Sequence, residues 1–199
     1  MDDKIIMDKL KTVLINCQIR EVSSNEEEKV KNLISCFDSI NQYHLVVLSD
    51  VIEVRKDQNN SFLSLLSFTY SFKPIKSPQN VSNLVEYEIV GMAILQKDYG
   101  RVLIRPENIE DEIIDLFVHV DIDFEIDKVF SKKYYVVASD ETKLRKNITA
   151  SFLKTVENFD GLEIEINGNV LMVRLKKQFS QESGKIISDF VTEINNGQN

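Results

Sequence analysis

The sequence predicts an α+β protein, a mostly antiparallel sheet with amphipathic helices packed against it. Three observations carry this. Strand-like runs rich in branched and aromatic residues follow one another with short links through residues 45–104, the pattern of an antiparallel meander. Segments with apolar residues three and four apart stand at both ends of the chain, the spacing of a helix with one buried stripe. Residues 118–127 read V-H-V-D-I-D-F-E-I-D, a strict alternation. An extended strand turns such a run into one apolar and one polar face.

The elements follow in order. Residues 3–17 place Ile6, Leu10, Val13, Leu14 and Cys17 at helical spacing; packing onto the chain's own domain is the simpler reading, and docking to a partner the sharper one. A second helix opens at Ser23-Ser24-Asn25 with Glu26, Glu27 and Glu28 in its first turn, where small polar residues and carboxylates satisfy free N–H groups and the helix dipole. Its stripe is Val30, Leu33, Ile34, Phe37 and Ile40, with Cys36 beside it in or near the core. Strands are expected at residues 45–54, 62–72, 84–95 and 101–104, the last after a turn at Tyr99-Gly100. Pro106 suits the first turn of a helix, with Ile109, Ile113, Leu116 and Phe117 as its apolar side.

The alternating strand from Val118 comes next, then a loop through Lys128 and a strand over residues 130–138. Ser139-Asp140-Glu141 starts a helix carrying Leu144, Ile148, Phe152, Val156 and Phe159, closed by Asp160-Gly161. Residues 162–166 and 170–175 form a hairpin around Asn167-Gly168-Asn169. With Asn167-Gly168 as the loop, Ile164 faces Leu171. With Gly168-Asn169, Ile164 faces Val173 and Glu163 faces Arg174, which adds an opposite-charge pair. A last helix over residues 180–195 buries Ile186, Ile187, Phe190, Val191 and Ile194.

At 199 residues the chain is one domain or two small intimate ones. The expected division is an N-terminal helical segment, residues 1–22, and an α+β domain, residues 23–199, with two similar fused lobes at 23–105 and 106–199 as the alternative arrangement. A helix–strand–strand unit occurs in each half, at residues 26–72 and 140–176.

The net charge is −8, with 13 Lys and Arg against 23 Asp and Glu up to Asp127, and 11 against 9 beyond it. A negative field repels phosphate backbones, so no nucleic acid is expected as partner. The acidic first half suits a basic protein partner. Cys17 and Cys36 form no C-x-x-C pair and read as reduced thiols of a cytoplasmic protein. The M-D-D-K start is acidic where a signal peptide is basic, and no apolar run approaches a membrane span.

Six isolated glycines make no phosphate cradle, and no G-x-S-x-G elbow occurs. The two histidines, His44 and His119, offer no coherent nucleophile–base set. No cofactor and no catalytic residue are therefore expected. The one constellation that admits chemistry is His119, Asp121, Asp123 and Glu125 on the polar face of the alternating strand. Its oxygen-rich donors suit Mg²⁺, Mn²⁺ or Ca²⁺, provided another element supplies further ligands. The simpler reading is a solvated sheet face, or one paired with Lys132 and Lys133 on the next strand.

Several short signatures stand in order: Phe68-Thr69-Tyr70-Ser71-Phe72, Arg105-Pro106-Glu107-Asn108, Asp121-Ile122-Asp123-Phe124, Phe130-Ser131-Lys132-Lys133-Tyr134-Tyr135-Val136, Asp140-Glu141 with Leu144-Arg145, and Gly168-Asn169 with Leu171. Over about residues 60–195 they resemble a widespread group of uncharacterised bacterial proteins. The resemblance implies an α+β fold and a bacterial source, and brings no known activity. Thr69 stands where those proteins carry an acidic residue, and residues 73–83 replace their Gly/Ser-rich loop. Structural roles suffice for the signature residues: Phe124, Phe130 and Tyr134 in the core, Ser139 or Asp140 as a cap, Pro106 as a helix start, and Asp123 with Arg145 as an ion pair.

The functional expectation is a non-enzymatic protein-binding or regulatory protein of the bacterial cytoplasm. The competing expectation is a metal-dependent hydrolase built on His119, Asp121 and Asp123.

Overall fold

A computed structural model describes residues 3–14, 17–41, 46–56, 59–72, 82–107, 122–124 and 127–196. Eight strands form one open antiparallel sheet in the order β1-β2-β3-β4-β8-β7-β5-β6. They are β1 Gln18–Glu21, β2 Val46–Lys56, β3 Asn59–Phe72, β4 Ser82–Ile94, β5 Arg101–Pro106, β6 Tyr134–Ala138, β7 Glu163–Asn167 and β8 Val170–Arg174. The helices among the described residues are α1 Asp3–Val13, α2 Ser24–Ile34, α3 Asp38–Asn41, α4 Lys128–Lys133, α5 Glu141–Asn147, α6 Ala150–Glu157 and α7 Gln181–Asn196. The α+β antiparallel architecture is the one the sequence predicts.

Period-2 alternation divides each strand between two faces. Ile52, Leu63, Leu65, Ile89, Ala93, Val102, Ile104, Ile164 and Val173 lie on the face covered by α1, α4, α5, α6 and α7, and with those helices they make the main core. Burying such a side chain contributes roughly 1.5–3 kcal/mol, so this face dominates stability. Gly91 lets α7 approach: a Cβ there would stand 2.6 Å from Val191 Cγ1 and 2.7 Å from Ile187 Cγ2. The other face carries a smaller core in which Val30, Ile34, Phe37 and Ile40 of α2 and α3 meet Val51, Leu66, Phe68, Val90, Met92 and Met172.

Several local expectations are corrected. The first helix stops at Val13, and Gln18–Glu21 pairs with β2 as an edge strand. The second helix ends at Ile34; Phe37 and Ile40 belong to the turn and α3 that follow. Cys36 is exposed rather than in the core. Pro106 does not begin a helix: it closes β5, opposite Tyr134.

The strand expected over residues 130–138 begins only at Tyr134, because Asp127 caps a helix over Lys128–Lys133. Its Oδ1 accepts from the N–H groups of Val129 (3.2 Å) and Phe130 (3.0 Å), and a capping carboxylate at a helix start outcompetes extension of the strand. The long helix after Ser139 is two, α5 capped by Asp140 and α6 capped by Thr149. In the hairpin, Ile164 faces Val173 and Glu163 faces Arg174, with Gly168 at φ +66 in the two-residue loop. This is the register with the opposite-charge pair.

Candidate functional site

The face under α2 and α3 carries an unusual load of buried charge. Arg174 on β8 is 1 % exposed, Glu163 and Glu165 on β7 are 2 % exposed, and Glu88 on β4 is 7 % exposed. Burying charge requires partners, and these side chains supply them to one another. Arg174 donates through Nε (3.0 Å) and Nη2 (2.8 Å) to the two oxygens of Glu88, and through Nη1 to the Ser39 carbonyl (3.0 Å). Its guanidinium stands 5.5 Å from the Phe68 ring centre. Lys176 Nζ lies 3.1 Å from Glu163 Oε2, and Arg174 Nε lies 3.9 Å from Glu163 Oε1.

Glu165 accepts from the backbone N–H groups of Asp38 (2.9 Å) and Ser39 (3.0 Å) at the start of α3. Burial pushes its carboxyl above the ordinary value, against those bonds. Burial also pushes the Glu88 carboxyl upward, opposed by Arg174. The set ties β4, β7, β8 and α3 together. Towards β1, Arg20 bonds both Glu53 and Glu26, and with Ser23 it holds the Glu26 carboxyl down to about 2.

The buried set lies at a fork. β4 pairs with β8 only over Gly91–Ile94 and Val170–Val173. The chain then turns away at Lys176, whose φ of +50 is left-handed, a conformation that costs a non-glycine residue about 1 kcal/mol. The Lys176 N–H donates to Glu88 Oε1 at 3.0 Å and fixes the turn. Meanwhile β4 runs on beside β3 as an arm that β2 flanks as far as Val46 opposite Phe68 and that is two-stranded beyond, paired as far as Phe72 opposite Ser82. Between arm and turn a cleft of about 240 Å³ opens, lined among others by Glu86, Tyr87, Glu88, Arg174, Lys176 and Lys177. Glu86 has no ionic partner among the described residues. The arm exposes Val47, Leu84 and Val85 at 44–48 %.

The sequence-derived candidates lie elsewhere. His119, Asp121 and Glu125, like His44, fall outside the described residues. Of the alternating run, Ile122 and Phe124 are buried and Asp123 is exposed. Residues 122–124 carry no regular secondary structure, yet the Ile122 N–H donates to the Val136 carbonyl at 2.8 Å. Residues 122–124 therefore lie beside β6 with Ile122 and Phe124 inward and Asp123 outward, and Asp127 caps α4. Arg145 meets Asp123 through the Asp123 carbonyl (2.9 Å) and not its carboxylate, and its guanidinium lies 5.6 Å from the Phe124 ring centre. Lys132 and Lys133 sit on α4, and Lys133 pairs with Asp160 at 2.6 Å. Among the described residues no three His, Cys, Asp or Glu side chains gather as metal ligands. Phe124, Phe130 and Tyr134 do stack in the core, at 5.8 and 5.3 Å between ring centres.

No protein-family model matches the chain, and no curated protein does. Among solved structures, the crystal structure of the mycobacterial trehalose monomycolate transport factor A, TtfA, is similar. It has a TM-score of 0.52 and 9 % sequence identity, over 96 % of this chain and 93 % of that one. At that identity the likeness is one of fold. Among the described residues no helix is long and apolar enough to cross a membrane.

The buried charge set was missed by sequence reasoning because its members are scattered from Glu88 to Lys176. The signal that could have found them was charge inside strands: Glu88, Glu163, Glu165 and Arg174 sit in otherwise apolar runs, where an isolated charge is costly and needs partners.

Proposed function

We propose that this is a non-enzymatic binding protein of the bacterial cytoplasm that docks a partner protein through the β3–β4 arm and the cleft at its base. The carrying observation is the arm. Val47 and Val85 stand on one face of the strands flanking β3, opposite Ser67 and Thr69, and Leu84 stands on the other face, so apolar side chains meet water on both sides of this end of the sheet. Exposed apolar side chains on a projecting sheet end suit coverage by a partner. Beneath it, the Arg174–Glu88 pair and the bonds from the α3 backbone to Glu165 tie the strands together, which suits a rigid platform. The net charge of −8 favours a basic partner. A fold shared with a protein named as a transport factor supports a binding role.

The test is capture on the full chain with crosslinking, comparing the native surface with the triple variant Val47→Asp, Leu84→Asp, Val85→Asp. A basic protein captured by the native chain at low salt and lost by a folded triple variant is the expected result. Equal capture by both refutes the assignment to the arm.

A further inference from the structure

We infer that the outer edge of β4, from Ser82 to Glu86, is a strand-addition site that takes an extended polypeptide segment of another protein. The inference rests on the docking role proposed above and specifies its chemistry. β4 meets β8 only from Gly91 onward, and among the described residues no strand pairs with that side of β4 before it. Two bonds show which residues turn their backbone outward there: the Leu95 N–H donates to the Asn169 carbonyl (2.7 Å), and the Tyr87 carbonyl accepts from the Phe179 N–H (2.6 Å). Alternate residues of an antiparallel strand direct their N–H and C=O to the same side. Asn83 and Val85 therefore aim theirs at the outer edge, while Leu84 and Glu86 serve the ladder to β3.

A row of donors and acceptors at that repeat is matched by another extended backbone. Phe179 already makes the first such bond on this edge. Residues 82–88 read S-N-L-V-E-Y-E: no proline or bulge interrupts the backbone edge, and its only protecting charges, Glu86 and Glu88, oppose a like-charged strand and leave a basic one unopposed.

The side chains narrow the occupant. On one face the added strand meets exposed Val85; on the other it passes Glu86, which has no ionic partner among the described residues. Apolar residues alternating with basic ones fit both faces. A second copy of this chain fits less well, because two antiparallel β4 edges would bring Glu86 and Glu88 of both copies onto one face of the joint.

The probe is a displayed library of random dodecapeptides selected on the full chain, followed by affinity measurement of the selected peptides. Alternating apolar and basic peptides are expected. Val85→Pro, which removes an outward N–H and leaves the β3 ladder intact, should weaken them by roughly tenfold or more. The Val85 amide should exchange more slowly in the complex. If Val85→Pro unfolds the arm, the exchange of Val85 in the native complex decides: protection upholds the site and unchanged exchange overturns it. The inference also falls if no peptide is selected, if selected peptides ignore Val85→Pro, or if the chain self-associates through this edge in sedimentation. Failure with peptides, combined with loss of the native partner in the triple arm variant, would remove strand addition and leave the docking role standing.

Discussion

Replacing Arg174 by Met tests the buried charge set directly. The substitution keeps the volume and flexibility of the stem and deletes the bonds to the Glu88 carboxylate and to the Ser39 carbonyl. It leaves Glu88 and Glu163 as neighbouring buried carboxylates with only Lys176 between them. Removing one partner of a buried pair costs about 3–5 kcal/mol, a large share of the roughly 5–15 kcal/mol that holds a domain together. Urea denaturation at pH 7, followed by circular dichroism, should register that loss in the midpoint with an unchanged slope. The double variant Arg174→Met, Glu88→Leu should recover most of it, since an apolar pair of similar size replaces a buried ion pair at little cost. The sign with pH is also fixed. Without Arg174 the Glu88 carboxyl is raised further, so the penalty is absent in acid and grows as pH rises above the unfolded value. A single variant within about 1 kcal/mol of wild type, or a double variant no better than the sum of the singles, would refute the reasoning.

Gly91→Ala should cost about 1–3 kcal/mol by forcing α7 off β4, read as a lower melting temperature, because Val191 and Ile187 occupy the space its Cβ needs. Glu165 has a folded-state value raised above its ordinary 4.5, so its contribution is greatest in acid and declines as pH rises through the folded value; Glu165→Gln should remove that decline. Glu26, held down to about 2, works in the opposite sense: its contribution is full above 4.5 and is lost as pH falls towards 2, and Arg20→Gln should reduce the loss to the part that Ser23 supplies. Calorimetric titration with Mg²⁺, Mn²⁺, Ca²⁺ and Zn²⁺ should give no saturable heat; saturable heat removed by Asp123→Ala would favour the hydrolase reading.

The fold was legible where one periodicity prevailed. The hairpin of β7 and β8 and the stripe of α7 follow from alternation and from three-and-four spacing read directly. The errors fall where a local polar group overrode the pattern. Asp127 and Thr149 each cap a helix that the apolar spacing alone does not announce, and Pro106 fits a strand end as well as a helix start. The eye was drawn to residues 118–127 because their charges are adjacent in sequence. The buried set is assembled from charges up to 88 residues apart, between Glu88 and Lys176, and only the sheet order brings them together. Glu163 opposite Arg174 was the one fragment of it visible beforehand, as a choice of hairpin register.

The four-residue seam between β4 and β8, with α7 lying across β2, β3 and β4, has a consequence for biosynthesis. The first four strands are neighbours in sequence and can zip together while the chain is still emerging from the ribosome. Their main apolar face, however, waits for α7, which is translated after every strand of the sheet, so until then the nascent chain carries that face without its principal cover.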